Sequence, residues 1–203
     1  MGATPVQILI PNGPTLRGER HGDGARWAVL VHDEGEDIDA WRSLIRPLVR
    51  EGYSTLAFDL SGHGISDGEW DPASLPEHIL AVLALAQARG AERLYLVGAG
   101  AGATAAIAAA GAQEVRALVA LSPRSGLEGL SPDAIRLSRA PKLVIAGSKD
   151  ADAAEQATWV ARRVLGWCLQ ESPPVAEQGT ALLRSAWGDH VREHVLAFLR
   201  DYS

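Results

Sequence analysis

The chain has 203 residues, a length that suits one ample hydrophobic core and is short for two domains. Its formal net charge of -6, with no run of basic residues, excludes a general binder of nucleic acid or of anionic membranes. The single cysteine, Cys168, excludes an internal disulfide and a zinc site built from cysteines, and we expect its thiol to lie in the core.

The start of the chain has no charged segment followed by an apolar one, and no apolar run approaches the length of a membrane span. We therefore expect a cytoplasmic protein with no signal peptide and no membrane partner. No change of composition divides the sequence, so we predict one domain over residues 1–203.

Apolar runs and turn residues predict strands and helices that alternate after an opening hairpin. The predicted strands span residues 6–10, 16–20, 26–31, 54–58, 94–97, 115–121, 142–146 and 166–171. Helices are predicted over 38–51, with a kink or break at Pro47, and over 74–89, opened by a capping box at Ser74. Three more follow: an alanine-rich run up to 111, then 153–164 and 187–202. This alternation predicts an α/β fold whose mainly parallel sheet is covered on both faces.

A glycine-rich turn, Gly98-Ala-Gly-Ala-Gly102, joins the strand at 94–97 to the next helix. It satisfies the dinucleotide-binding pattern G-x-G-x-x-A, but the next strand ends in Ser-Pro where that pattern needs an acidic residue. The turn also has the spacing of a nucleophile elbow, Gly-x-Ser-x-Gly, with Gly100 where the serine belongs.

Further motifs favour the elbow. The stretch from Asp59 to Ser66 reads Asp-Leu-Ser-Gly-His-Gly-Ile-Ser, and Gly147-Ser-Lys-Asp150 follows a later strand. Together with the order of elements, they resemble the α/β-hydrolase superfamily, in particular its small esterase-like and dienelactone-hydrolase-like members without a lid domain. The resemblance covers nearly the whole chain and implies that fold, with an N-terminal hairpin.

The resemblance also implies a catalytic frame that has lost two of its three groups. Gly100 stands at the nucleophile position, Gln178 at the histidine position, and Asp150 at the retained acid position. Asp33 stands where the family usually has a glycine beside the oxyanion hole. Glycine cannot attack a carbonyl and glutamine is not a useful base, so we expect no serine hydrolase activity.

The expected role is therefore a small-ligand binder or an interaction module that needs no cofactor and no metal. The alternative is an esterase-like hydrolase, or another enzyme, that uses a displaced set such as Asp150 and His190. Dinucleotide binding by the glycine-rich turn is a third hypothesis.

The predicted ligand contacts are His32, Glu34, Ala101 and Trp41. The backbone N–H groups of Glu34 and Ala101 are expected to point inward and to receive an anion or a carbonyl oxygen. The acidic residues between 33 and 39 are predicted to form a solvated charge run. Expected partners are a small apolar or carbonyl-bearing ligand, a protein partner or a second copy of the chain.

Overall fold

An eight-stranded sheet forms the centre of the computed structural model, which describes residues 2–203. Its strands are β1 Thr4–Leu9, β2 Thr15–His21, β3 Arg26–Val31, β4 Tyr53–Phe58, β5 Arg93–Ala99, β6 Ala117–Leu121, β7 Lys142–Ile145 and β8 Cys168–Glu171. They lie in the order β1-β2-β4-β3-β5-β6-β7-β8. Strand β2 pairs antiparallel with both β1 and β4, and all other neighbouring strands are parallel.

Helices cover both faces of this sheet, as the sequence predicts. They are α1 Arg42–Arg50, α2 Leu75–Ala88, α3 Gly100–Ala109, α4 Ala151–Ala161 and α5 Gly188–Asp201. Successive side chains of a strand point to opposite faces, so Val29 of β3 joins one core, with α2, α3 and α4, while Leu30 joins the other, with α1 and α5. The carboxyl ends of the parallel strands meet at one edge, where ligands bind in such folds.

Two details of the helices differ from the prediction. Helix α1 continues through Pro47 to Arg50 without a break, and the predicted helix begins with a 3₁₀ turn at Ile38–Trp41. The capping box at Ser74 does not form, because a cap residue needs extended backbone and Ser74 is already helical at φ −83° and ψ −14°. Asp71 instead caps a preceding 3₁₀ turn by accepting a hydrogen bond from Ala73 N at 3.1 Å.

The connection between β6 and β7 contains one 3₁₀ turn, Ala134–Arg136, and no lid domain within residues 2–203. Among the same residues, no helix combines the length and the apolar character needed to cross a bilayer. Cys168 is half-buried at the start of β8 rather than deep in the core, and burial raises the pKa of its thiol.

Lys142, at the start of β7, is fully buried. Its ammonium group donates hydrogen bonds to the carbonyl oxygens of Ser138, Ala140 and Leu165 at 2.9, 2.7 and 2.9 Å. Burial lowers the pKa of Lys142 to about 8, so the group is still mostly charged at neutral pH. One side chain therefore holds the segments before β7 and before β8 against the sheet.

Candidate functional site

Helix α3 begins where β5 ends, and Gly100 is the residue at the turn. Its φ of +52° is a conformation that residues with side chains rarely adopt. Two residues later, a Cβ atom on Gly102 would lie 2.3 Å from the carbonyl oxygen of His32, so only glycine allows α3 to approach the end of β3. The spacing of glycines that identifies the turn in the sequence is therefore required by a sharp strand-to-helix turn.

The carboxylate of Asp33 lies directly over this turn. A Cβ atom on Gly100 would lie 1.9 Å from Asp33 Cγ and about as close to both carboxylate oxygens. Real non-bonded atoms do not approach so closely, so Asp33 in this position excludes any side chain at residue 100.

One oxygen of Asp33 accepts hydrogen bonds from three donors. The backbone N–H groups of Ala101 and Glu34 each donate to Asp33 Oδ1 at 2.8 Å, and Arg124 Nη2 donates to it at 3.0 Å. Both amides point inward as predicted from the sequence, but they bind an internal carboxylate. Arg124 also donates through Nη1 to Glu34 Oε2 at 2.9 Å, so the guanidinium group pairs with two acidic side chains.

Arg124 is absent from the sequence prediction. The signal that was available is its place just after β6, at the strand edge where the other site residues lie. The charge of Arg124 does not by itself indicate a role in this site. The sequence does not show that the acidic side chains it binds lie in the loop after β3.

Gln178 and Asp150 are in contact at the same edge of the sheet. Gln178 Nε2 donates to Asp150 Oδ2, while Asp150 Oδ1 accepts from Ala153 N at 3.0 Å and caps α4. These hydrogen bonds lower the pKa of Asp150, the one from Ala153 more than the one from Gln178. Asp150 therefore has a structural role as a helix cap that is independent of catalysis.

The residues after Gln178 bring this loop against Asp33. A Cβ atom on Gly179 would lie 3.8 Å from Asp33 Oδ2. The Gly179 N–H donates to Ser122 Oγ at 3.0 Å, and Ser122 has an unusual φ of +47° at the end of β6. The structure thus brings the predicted positions 33, 100 and 178 to neighbouring loops.

The acidic loop after β3 matches the predicted solvated charge run only in part, because Asp33 and Glu36 are half-buried while its other acidic residues are exposed. Glu36 accepts a hydrogen bond from Asp33 N at 3.1 Å and another from the buried Thr180 hydroxyl. Asp37 caps the following 3₁₀ turn by accepting from Asp39 N at 2.9 Å. Glu36 thus ties this loop to the loop that follows β8, while Asp37 stabilises the loop itself.

Two predicted ligand contacts, His32 and Trp41, are wrong, because both side chains are fully buried. Trp41 packs in the core beneath α1. His32 Nε2 accepts from Leu60 N at 3.0 Å, which leaves Nδ1 to donate to the Asp33 carbonyl at 2.7 Å. Burial lowers the pKa of His32, which favours the neutral ring that this bonding requires.

His63 and His190 lie in two different surroundings, one between loops and one at the surface. His63 Nε2 accepts from Gly35 N at 2.9 Å, so it braces the loop after β3 against the loop after β4. His190 is exposed in the first turn of α5, where its ring lies 4.0 Å from that of His194. Within residues 2–203 no hydrogen bond links His190 to Asp150, whose carboxylate is bonded to Ala153 N and Gln178 instead.

The comparisons with known proteins agree with this geometry at the level of family. The family model described as alpha/beta hydrolase fold matches residues 29–166. That match covers more than half of the chain, so the protein belongs to the α/β-hydrolase fold family. The dinucleotide hypothesis loses its support, because the sheet order is that of this family and not of the dinucleotide-binding folds.

Individual relatives include both esterases and an acyltransferase. The chain superimposes on an esterase from Pyrococcus furiosus, Pf2001, with a TM-score of 0.84, 19% identity, and coverage of 98% of this chain and 92% of that one. Est1E from Butyrivibrio proteoclasticus, solved with ferulic acid bound, gives a TM-score of 0.82 and 19% identity over 97% and 98%. Both likenesses show the fold alone.

A sequence relative is the dihydrolipoyllysine-residue acetyltransferase component of the acetoin cleaving system of Cupriavidus necator. It is 30% identical over 123 residues, which are 60% of this chain and 33% of that protein. The chain thus matches about a third of the length of this relative.

Proposed function

We propose that this protein does not hydrolyse esters through a serine nucleophile, and that it binds a small ligand bearing a carboxylate or a carbonyl group. The observation that supports the proposal is the position of Asp33 Oδ1, which accepts hydrogen bonds from Ala101 N, Glu34 N and Arg124. An internal carboxylate thereby occupies the place where amide donors would otherwise receive a ligand oxygen.

Features of three residues, Gly100, Gln178 and Asp33, disfavour hydrolysis. Gly100 has no hydroxyl group to attack a carbonyl carbon, and Gln178 cannot accept the proton that such an attack releases. The amides that would stabilise an oxyanion are engaged by Asp33. A carboxylate beside them would also repel the negative charge that develops on the oxyanion.

Ligand binding uses the same donors once the Asp33 side chain rotates away. Two amides and a guanidinium group then point at one small volume, a donor set suited to a carboxylate or a polarised carbonyl oxygen. Because the ligand competes with Asp33, its apparent affinity is reduced by the fraction of molecules in which the site is open. Asp33 is therefore expected to weaken binding.

The absence of serine hydrolysis is tested with an active-site-directed fluorophosphonate probe on the full chain. We expect no covalent labelling of the wild-type protein and no turnover of short-chain esters, thioesters or lactones. Labelling of any serine of the folded protein contradicts the proposal, and mass spectrometry of the labelled peptide then identifies the nucleophile.

Ligand binding is tested by titrating butyrate and methyl butyrate into the wild-type chain and the Asp33→Ala variant by calorimetry. We expect tighter binding by Asp33→Ala, since the variant frees three donors. Asp133→Ala removes an exposed acidic group in the β6–β7 connection and serves as the charge-matched control. If the wild-type chain binds neither compound, or if Asp33→Ala binds neither one better than the control does, the small-ligand proposal is wrong.

A further inference from the structure

Three potential metal ligands meet at the edge of the sheet. Glu171 is the last residue of β8, and His190 and His194 lie four residues apart on α5, so the two imidazoles share one helix face. One ligand atom from each of the three side chains lies within 4.8 Å of the others. His194 Nδ1 is 2.5 Å from Glu171 Oε1, and the two imidazole rings are 4.0 Å apart.

The surroundings leave this cluster open to an added cation. The Glu171 carboxylate is only 20% exposed and points at His194, while His190 lies at the surface. The nearest basic residue along α5, Arg192, donates instead to Asp189 and to the Leu183 carbonyl. The charge of Glu171 is therefore not neutralised by that arginine.

Trp187 limits the freedom of the outer histidine. Its ring lies edge-on to that of His190, with centroids 5.2 Å apart. A ligand whose rotamers are already restricted loses less conformational entropy when it binds a metal. His190 is therefore partly positioned before any ion arrives.

We propose that Glu171, His190 and His194 form a binding site for a divalent transition-metal ion, with Zn²⁺ as the best match. Two imidazoles and one carboxylate suit Zn²⁺, whereas Ca²⁺ and Mg²⁺ prefer oxygen ligands alone. Zinc bonds of about 2.0–2.2 Å place tetrahedral ligands roughly 3.4 Å apart, a spacing reached from 4.8 Å by small side-chain rotations.

The site differs from the expectation of no metal that the sequence gives, and it shares no residue with the Gly100 turn. Zinc there would replace the hydrogen bond between His194 and Glu171 and join the edge strand β8 to α5. Water would fill the fourth position of a tetrahedral site.

The test is a calorimetric titration of ZnCl₂ into the full chain after treatment with EDTA and its removal. We expect one Zn²⁺ per chain, and a melting temperature that rises with zinc concentration because the ion binds the folded state. His190→Ala, His194→Ala and Glu171→Gln should each weaken zinc binding by about tenfold or more, since each removes one of three ligands.

His21→Ala is the matched control, because His21 Nε2 lies 3.3 Å from Glu19 Oε2 in a histidine–carboxylate pair that has no second histidine. It should leave zinc binding unchanged. Co²⁺ gives a second readout, since tetrahedral coordination produces strong visible absorption that His190→Ala should abolish. The proposal is overturned if the wild-type chain binds no zinc, or if the cluster variants and His21→Ala bind it equally well.

Discussion

At the scale of single residues, the Asp33 carboxylate fills the space that a side chain at position 100 would need. The carboxylate and a side chain on residue 100 need the same space, with 1.9 Å between Asp33 Cγ and a Cβ atom there. The proposed loss of hydrolysis therefore involves Asp33 as well as Gly100 and Gln178.

This overlap predicts that restoring the serine and the histidine is not sufficient. We expect the Gly100→Ser, Gln178→His double variant to be inactive towards p-nitrophenyl acetate and less stable than wild type. The strained backbone alone costs about 1–3 kcal/mol when serine adopts it. Addition of Asp33→Gly should produce esterase activity and fluorophosphonate labelling, because it empties the space beside Ala101.

Comparing the double variant with the triple variant shows whether the Asp33 carboxylate is what prevents hydrolysis. Hydrolysis by the double variant would mean that Asp33 moves aside at little cost. If the triple variant folds but is neither active nor labelled, the assignment of Gly100 and Gln178 to the former catalytic positions is wrong.

Arg124 is predicted to stabilise the loop that carries Asp33. Arg124→Ala removes hydrogen bonds to two acidic side chains, Asp33 and Glu34, of which Asp33 is only 20% exposed. Hydrogen bonds to charged groups contribute about 1.5–3 kcal/mol when well formed, so a loss of about 1–2 kcal/mol is expected at this half-exposed site. Urea unfolding measures it.

Arg136→Ala is the control for Arg124→Ala, since it breaks an exposed pair with Asp133 at 3.4 Å. Such pairs contribute little, so its free energy of unfolding should change by less than about 0.5 kcal/mol. Equal effects of the two variants would show that the Asp33 network does not stabilise the fold.

At the scale of secondary-structure elements, we expect Asp150 to stabilise helix α4 rather than to take part in a reaction. Asp150→Ala removes the cap on Ala153 N and should lower the free energy of unfolding by about 1 kcal/mol. Asp150→Asn retains a side-chain oxygen for the same N–H, so most of the stability should remain. Urea denaturation of both variants is the measurement, and an equal loss in both would argue against the capping role.

A second prediction about secondary-structure elements concerns Lys142, at the start of β7. Lys142→Met keeps the apolar stem but removes a side-chain donor that serves three carbonyl groups. Leaving buried acceptors without partners costs about 1–3 kcal/mol, which thermal and urea unfolding will detect. Lys149→Met, at an exposed position near the start of α4, should change stability little. A Lys142→Met variant as stable as Lys149→Met would contradict this account.

The sequence best predicts those elements that depend on residues close together in the chain. Alternating apolar residues place the strands within a few residues of their observed ends, and the glycine spacing predicts the turn at Gly100. Contacts between side chains that are far apart in the sequence leave no such local pattern. Asp33 and Arg124 are 91 positions apart, and neither periodicity nor spacing indicates that their side chains meet.

Trp41 illustrates the same limit within one element. Its spacing with Ile45 and Leu48 correctly predicts a helical apolar face. Whether that face meets the sheet or lines a ligand site depends on how α1 packs, which is a tertiary property. The core beneath α1 receives Trp41 completely, and its role as a ligand contact is therefore lost.

At the scale of the whole molecule, two buried histidines make stability depend on pH. Burial lowers the pKa of both His32 and His78, so the unfolded chain binds more protons than the folded one below about pH 6.5. Stability should therefore be complete above that pH and fall as the pH drops towards the folded pKa values. Each histidine contributes a slope of up to about 1.4 kcal/mol per pH unit.

Urea unfolding between pH 5 and pH 8 measures this dependence. His32→Gln and His78→Gln should each reduce the slope below about pH 6.5, whatever their effect on stability at pH 8. The slope is the informative quantity, because both substitutions also disturb packing. A slope that neither variant changes would assign the acid sensitivity to other groups.

The Asp33 carboxylate and a side chain at residue 100 compete for the same space. This competition also limits the order in which mutations could produce a hydrolase site in this chain. From this sequence, Gly100→Ser alone meets the carboxylate, and Asp33→Gly alone gives up three hydrogen bonds. Neither single step yields a nucleophile paired with a base. Because contacting residues are energetically coupled, a path that begins at residue 33 or at residue 100 starts with a loss of stability that no gain in activity offsets. The proposed function therefore predicts that both positions change together in any hydrolytic derivative of this chain.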